Sequence, residues 1–152
     1  MSKKVILFLV CFNFIVFGCY YEPVLLQKKI DFTVGQFISS GEKNINLKIQ
    51  DVIRNKSKGS YSYDIKINSK KEKTIISHDK KGDPLIFELL ISVKYEIIDN
   101  NKSIYKNTIE KKITYNNISD KFELTGYEKD IVDGFAKNIA DEMILSISNL
   151  IK

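Results

Sequence analysis

Three side chains in this 152-residue sequence belong to the types that most often carry covalent or metal chemistry: Cys11, Cys19 and His78. Cysteine can act as a nucleophile or metal ligand, and histidine as a general base or ligand. His78 stands between Ser77 and Asp79, so the three match the residue types of a hydrolytic triad. Because triads are assembled across a fold and adjacent side chains point in different directions, we interpret His78 as an exposed loop residue. We therefore expect no catalytic site.

The residues before Cys19 predict a lipid-modified amino terminus. The apolar run from Val5 to Phe17 follows two lysines, and at about 1.5 Å per residue it is too short to cross a hydrocarbon layer of about 30 Å. It is therefore typical of a secretory signal. Residues 16–19, Val-Phe-Gly-Cys, resemble the bacterial lipobox, in which small residues precede a cysteine. That motif implies cleavage after Gly18 and a diacylglyceryl thioether on Cys19.

The domain boundaries follow from this interpretation. Residues 1–18 are predicted to be a lipoprotein signal peptide, residues 19–29 an acylated tether, and residues 30–152 a single domain. Two alternatives stay open: an uncleaved anchor or ordinary secretory signal, and lipidation at Cys11, since Phe17 stands where the lipobox usually has a small residue. The predicted mature domain has no thiol and one histidine, so we expect no disulfide, no metal site and no cofactor.

Composition limits the class of protein. The sequence is 43% hydrophobic and 28% charged, with seven glycines and two prolines, which excludes disordered and collagen-like chains and allows one domain. Its net charge of +5 is weak for a nucleic-acid binder. Arg54 is the only arginine among 24 basic residues, a bias that A/T-rich codons would produce without selection for a basic surface. We expect no nucleic-acid partner.

The spacing of apolar residues predicts six elements of secondary structure. They cover residues 30–35, 42–55, 61–67, 85–98, 105–115 and 128–151. The second and sixth have helical spacing and the others alternate as strands do, although the first helix also fits a strand pattern. Residues 70–73 are predicted to form a loop after the third element, and residues 79–84 a turn; the alternative that Ile75 and Ile76 extend the third element stays open.

The order β-α-β-β-β-α predicts an α+β fold, with both helices packed on one face of a four-stranded mixed sheet. The first two strands run parallel if they are adjacent, because a helix connects them. The opposite face of the sheet is expected to be polar and exposed to solvent. Its predicted charged residues are Asp64, Lys66, Lys94, Glu96 and Lys112.

Five lysines are candidate contacts for phosphate groups: Lys70, Lys71 and Lys73 in the predicted loop, and Lys80 and Lys81 in the predicted turn. Ammonium groups bind phosphates as point charges, without the bidentate geometry of arginine. We expect the two groups at opposite ends of the third element. The alternative interpretation is a solvated face without a specific ligand.

Four segments together resemble the lipopolysaccharide-assembly lipoprotein (LptE) family, particularly its alphaproteobacterial branch. The first is the lipobox cysteine followed by aromatic residues and a proline, in residues 19–25. A long strand and hairpin with tyrosines near the turn follow in residues 92–109, and a return strand ends in tyrosine within residues 113–117. The closing helix, residues 128–150, starts acidic and carries small residues.

The resemblance implies a function and a partner. Members of this family are not enzymes; they sit as a plug inside the outer-membrane β-barrel, of the LptD type, that delivers lipopolysaccharide to the outer leaflet. It implies an outer-membrane, lipid-anchored location with the domain facing the periplasm and the barrel lumen. The five candidate lysines could then contact lipopolysaccharide phosphates. A different outer-membrane accessory lipoprotein, such as a barrel-assembly subunit or a secretin pilot, remains the alternative.

Replacing the predicted lipidation site tests the anchor. The Cys19→Ser chain should keep its signal peptide, run as a larger precursor and lose metabolic labelling by palmitate, because the thioether cannot form. Cys11→Ser is the matched control and should be processed and labelled normally. Palmitate labelling that persists in Cys19→Ser and disappears in Cys11→Ser would place the lipid on the other cysteine.

Overall fold

The computed structural model describes residues 30–150, so the predicted signal peptide, Cys19 and the tether lie outside the described residues. Its six elements are β1 (Phe32–Gly41), α1 (Lys43–Lys56), β2 (Tyr61–His78), β3 (Pro84–Asp99), β4 (Lys102–Asn116) and α2 (Lys121–Ser148). The order confirms the predicted α+β fold with a four-stranded mixed sheet and two helices.

The strands lie in the sheet in chain order, β1-β2-β3-β4. β1 runs parallel to β2, from Phe32 opposite Tyr61 to Gly41 opposite Ser69, as the connecting helix requires. The pairs β2–β3 and β3–β4 are antiparallel. The sheet is therefore a parallel pair joined to a long antiparallel meander.

One face of this sheet forms the core with the two helices. Strand side chains alternate between the faces, so every second residue of β3 faces the helices, and these side chains are buried from Phe87 to Ile97. α1 contributes Ile45, Ile49 and Ile53 at helical spacing. The largest buried side chains of α2 are Ile139, Met143, Ile144 and Ile147.

Helix α2 is long enough to follow the long strands. Its 28 residues span about 42 Å. The Asp120 carboxylate caps it by accepting the main-chain N–H groups of Phe122 and Glu123 at 2.8 and 3.2 Å. Within residues 30–150, no helix combines the length and apolarity needed to cross a membrane.

Two sequence predictions about strand length were wrong. The first strand does not end near Gly35 but continues, after a register shift between Val34 and Phe37, to Gly41. Residues 70–73 do not form a loop; they lie within the 18-residue β2. The side chains of this part of β2 are exposed on both faces, so the sequence shows no alternation of apolar and polar residues there.

The two layers of the fold differ in length, and this divides the molecule into two halves. In the lower half, up to the Gly41–Ser69 pair, α1 and α2 cover the sheet together. In the upper half, β2 continues from Lys70 to His78 beyond the end of β1 and the start of α1. There the sheet consists of β2, β3 and β4, and α2 is the helix that packs on it.

Gly41 marks the point where the upper half begins, and its replacement tests how tightly that junction is packed. Its φ is +89°, and a Cβ there would lie 1.9 Å from the Ser69 carbonyl oxygen. Gly82 has a φ of +90° but nothing within 4 Å of its Cβ position, so it is the matched control. We expect Gly82→Ala to lower the free energy of unfolding by about 1 kcal/mol through backbone strain. Gly41→Ala should cost about 3 kcal/mol, because overpacking adds to the strain.

Urea denaturation of the purified protein in detergent measures both values. If Gly41→Ala and Gly82→Ala lowered the free energy of unfolding by the same amount, the close approach at Gly41 would be contradicted.

Candidate functional site

A groove of about 610 Å³ opens where the two halves of the molecule meet. Its floor is formed by Lys71 and Lys73 of β2 and by Leu89 of β3. One wall is the amino-terminal part of α1, including Leu47, and the other is the amino-terminal half of α2, including Val132. The groove exists because α1 begins too low to meet α2 above the upper part of β2.

Glu128 of α2, which lines the groove, is the centre of a network of hydrogen bonds. One Glu128 oxygen, Oε1, accepts from Lys73 Nζ at 2.5 Å and from the Tyr115 hydroxyl at 2.7 Å. Lys73 Nζ also lies 4.0 Å from the centroid of the Phe87 ring. The network therefore ties α2 to β2 and β4 across the upper half of the sheet.

The network shifts the pKa of Glu128 and the pKa of Tyr115. Burial opposes ionisation of Glu128, but the hydrogen bonds from Lys73 and Tyr115 outweigh it and hold the pKa of this carboxyl below its usual value. Burial, together with the hydrogen bond to the Glu128 carboxylate, raises the pKa of the Tyr115 hydroxyl. At neutral pH Glu128 is therefore a carboxylate and Tyr115 a neutral phenol.

The groove combines apolar surface with a balanced set of charges. Leu47 is 46% exposed there, although it lies on a helix whose isoleucines are all buried. Four cationic and four anionic side chains line the groove: Lys48, Lys71, Lys73, Lys129, Glu42, Asp51, Glu128 and Asp133. Because the charges cancel, the groove as a whole does not favour a multiply charged anion.

The structure does not bring the five predicted phosphate contacts together. Lys71 and Lys73 line the groove, whereas Lys70 lies on the opposite face of the sheet and forms an ion pair with Glu72. Lys80 and Lys81 lie in the turn between β2 and β3, as predicted. The two groups are not at opposite ends of β2, because residues 70–73 lie in its upper half, about 20 Å below the turn.

His78 and its neighbours do not form a triad. His78 is exposed, as predicted, but it is the last residue of β2 and not a loop residue. The Asp79 carboxylate accepts the main-chain N–H groups of Lys81 and Asp83, each at 2.8 Å, so it stabilises the turn. Among residues 30–150, no three His, Cys, Asp or Glu side chains are grouped as a metal site would require.

The outer face of the sheet is polar and charge-balanced. Cross-strand ion pairs link Glu96 to Lys106 at 3.0 Å and Glu88 to Lys112 at 3.1 Å. By strand alternation, the charged residues on this face are five lysines and five acids: Lys66, Lys70, Lys94, Lys106, Lys112, Asp64, Glu72, Glu88, Glu96 and Glu110. The predicted polar face is confirmed, and pairing uses several of its lysines.

Sequence reasoning missed the α2 side of the groove. Glu128 is the first residue of the predicted terminal helix, and nothing in the sequence pairs it with Lys73, 55 residues away. One signal was present at the other wall: Leu47 lies outside the apolar stripe formed by Ile45 and Ile49. An apolar residue off the buried face of a helix is a reason to look for a binding surface.

Removing the Glu128 carboxylate tests the network. Because the folded pKa of Glu128 is lowered, its contribution to stability is present above the unfolded pKa of about 4.3 and is lost as pH falls through the folded value. We expect Glu128→Gln to lower the free energy of unfolding by about 1 kcal/mol at pH 7, with the difference from wild type shrinking below about pH 4.

Asp130→Asn removes the same charge from an exposed position of α2 and is the control. Urea denaturation across this pH range gives the comparison. If the difference in the free energy of unfolding between Glu128→Gln and wild type did not change with pH, an ionised Glu128 in the network would be contradicted.

Comparison with known proteins shows what the fold resembles. No protein-family model matches the chain, and no curated protein matches its sequence. Solved structures do match. Rare lipoprotein B of Shewanella oneidensis is 16% identical with a TM-score of 0.59, and the match covers 76% of this chain and 96% of that one.

Two further lipoproteins give similar values. Lipoprotein B of Nitrosomonas europaea is 15% identical with a TM-score of 0.59, covering 80% of this chain and 88% of that one. A minor lipoprotein of Acinetobacter baumannii is 11% identical with a TM-score of 0.56, covering 80% and 92%. This chain therefore shares its fold, over nearly the whole length of these neighbours, with a group of bacterial lipoproteins.

Proposed function

We propose that this protein is an outer-membrane lipoprotein, anchored by lipid at Cys19, that acts as the plug and assembly partner of a lipopolysaccharide-translocating β-barrel of the LptD type. The observation that carries the proposal is the shared fold with rare lipoprotein B, which covers 96% of that chain. The lipobox of residues 16–19 supports it independently, because it lies outside the region that the structure describes.

The dimensions and polarity of the sheet support a position inside a barrel. The 16 residues of β3 extend about 50 Å, comparable to a membrane with its headgroups at about 40–45 Å. The lumen of a large outer-membrane barrel is polar and filled with water. A rigid face whose ten charges cancel can lie against such a wall without an unpaired charge excess.

Contact with lipopolysaccharide is the finer part of the proposal. Lys70 and Lys73 already pair with Glu72 and Glu128, which leaves them less available for an external phosphate. Lys80 and Lys81, in the exposed turn at the upper end of the sheet, are better placed for that role. They would bind phosphate as point charges, so the contact would weaken with increasing salt.

Co-purification tests the partner. A chain tagged at its carboxyl terminus and extracted in mild detergent should bring down a much larger outer-membrane β-barrel protein in a near-stoichiometric amount. The Cys19→Ser chain, retained as a precursor, is the control and should not recover it. Recovery of the lipoprotein alone would contradict the proposal.

Depletion separates the two lipoprotein functions. If this protein is the partner of an LptD-type barrel, its depletion should leave newly made lipopolysaccharide at the inner membrane, while other barrel proteins assemble normally. A general loss of barrels, or of one secretion system, would instead favour a barrel-assembly subunit or a secretin pilot.

A further inference from the structure

The upper half of β2 has one side without a strand partner. β1 pairs with β2 only as far as Ser69, whereas β2 continues to His78. β3 pairs with β2 along this whole upper part, so one side of the strand is satisfied. Within residues 30–150, no strand pairs with its other side beyond Ser69.

The direction of the unpaired main-chain groups follows from the junction with α1. The Glu42 N–H donates to the Ser69 carbonyl at 3.3 Å, so the polar main-chain groups of Ser69 point away from β3. These groups alternate in direction from one residue to the next along a strand. The N–H and C=O groups of Lys71, Lys73 and Ile75 therefore point the same way, and we call these three residues the open edge.

Nothing in the described domain covers the open edge. All side chains from Lys70 to Ile76 are exposed. Ile75 is 43% exposed and its neighbour Ile76 is 51% exposed. An exposed strand edge with β-branched residues is a template on which another extended chain can add as a further strand.

The charges of residues 70–73 limit which chains could pair with the open edge of β2. Residues 70–73 hold three lysines and one acid; Lys70 pairs with Glu72 and Lys73 with Glu128, so Lys71 is the cation of this segment that has no ion pair. Two copies of this protein paired edge to edge would place these lysines against one another, and like charges opposite each other destabilise a strand pair. The segment is thus protected against self-association and complementary to an acidic strand.

We propose that the open edge binds an extended segment of a partner protein in which acidic residues alternate with β-branched residues. An acidic side chain of the segment would lie opposite Lys71 and face the groove, where this lysine forms part of the floor. The segment would add beside β2 in line with β1, filling the gap above Gly41. This inference is independent of the identity of the proposed barrel partner.

Two peptide probes test the inference on the full lipidated chain in detergent micelles. The acidic probe is a blocked, fluorescent Thr-Glu-Val-Glu-Val-Glu-Thr, and the basic probe has lysine in place of each glutamate. We expect saturable binding of the acidic probe, measured by fluorescence anisotropy, with an affinity about tenfold higher than that of the basic probe. Equal binding of the two probes, or binding of neither, would overturn the proposal and leave the lysines as protection against self-pairing.

Variants separate charge from main-chain pairing. Lys71→Glu should reverse the preference between the probes, whereas Lys94→Glu, an equal charge change on the central strand β3, should leave it unchanged. Ile75→Pro removes an outward N–H without breaking a bond to β3 and should abolish binding. Ile75→Ala keeps that N–H and should retain most of it. Binding that survives both Lys71→Glu and Ile75→Pro would place the peptide elsewhere.

Discussion

The difference in length between the sheet and its helices determines most of this structure. Three strands have 15–18 residues, but β1 has 10 and α1 has 14. A sheet must bury its apolar face, and of the two helices in residues 30–150 only α2, at about 42 Å, extends over the upper half. The Lys73–Glu128–Tyr115 network holds α2 to the upper half of the sheet, which α1 does not reach. The groove forms because α1 does not extend over the upper half of the sheet, and the open edge forms because β1 does not extend beside the upper half of β2.

The sequence predicted those parts of the fold in which burial imposes a period. β3 alternates cleanly because its inward side chains are buried from Phe87 to Ile97, and α2 shows its stripe because it packs on the sheet. Residues 70–73 were misassigned because an edge strand with both faces exposed carries no such signal. The groove was not predicted, since its charges come from elements distant in sequence. Leu47 alone indicated it.

The surface chemistry favours docking by shape and pairing over binding of a highly charged ligand. Many lysines of the domain are matched by acids: Lys56 with Asp141 at 2.6 Å, Lys111 with Glu142, and the cross-strand pairs of the outer face. Such partly exposed pairs contribute little stability individually. Lys80 and Lys81 in the turn and Lys71 at the open edge are among the lysines of residues 30–150 that have no ion pair, and a docking partner could use them.

Photo-crosslinking in living cells tests most directly whether this lipoprotein works as a docked partner in the outer membrane. A photoreactive amino acid in place of Ile75, at the open edge, should give on irradiation one discrete adduct that contains an outer-membrane β-barrel protein. Irradiation that yields only the uncrosslinked chain, or a heterogeneous set of periplasmic proteins, would contradict the account.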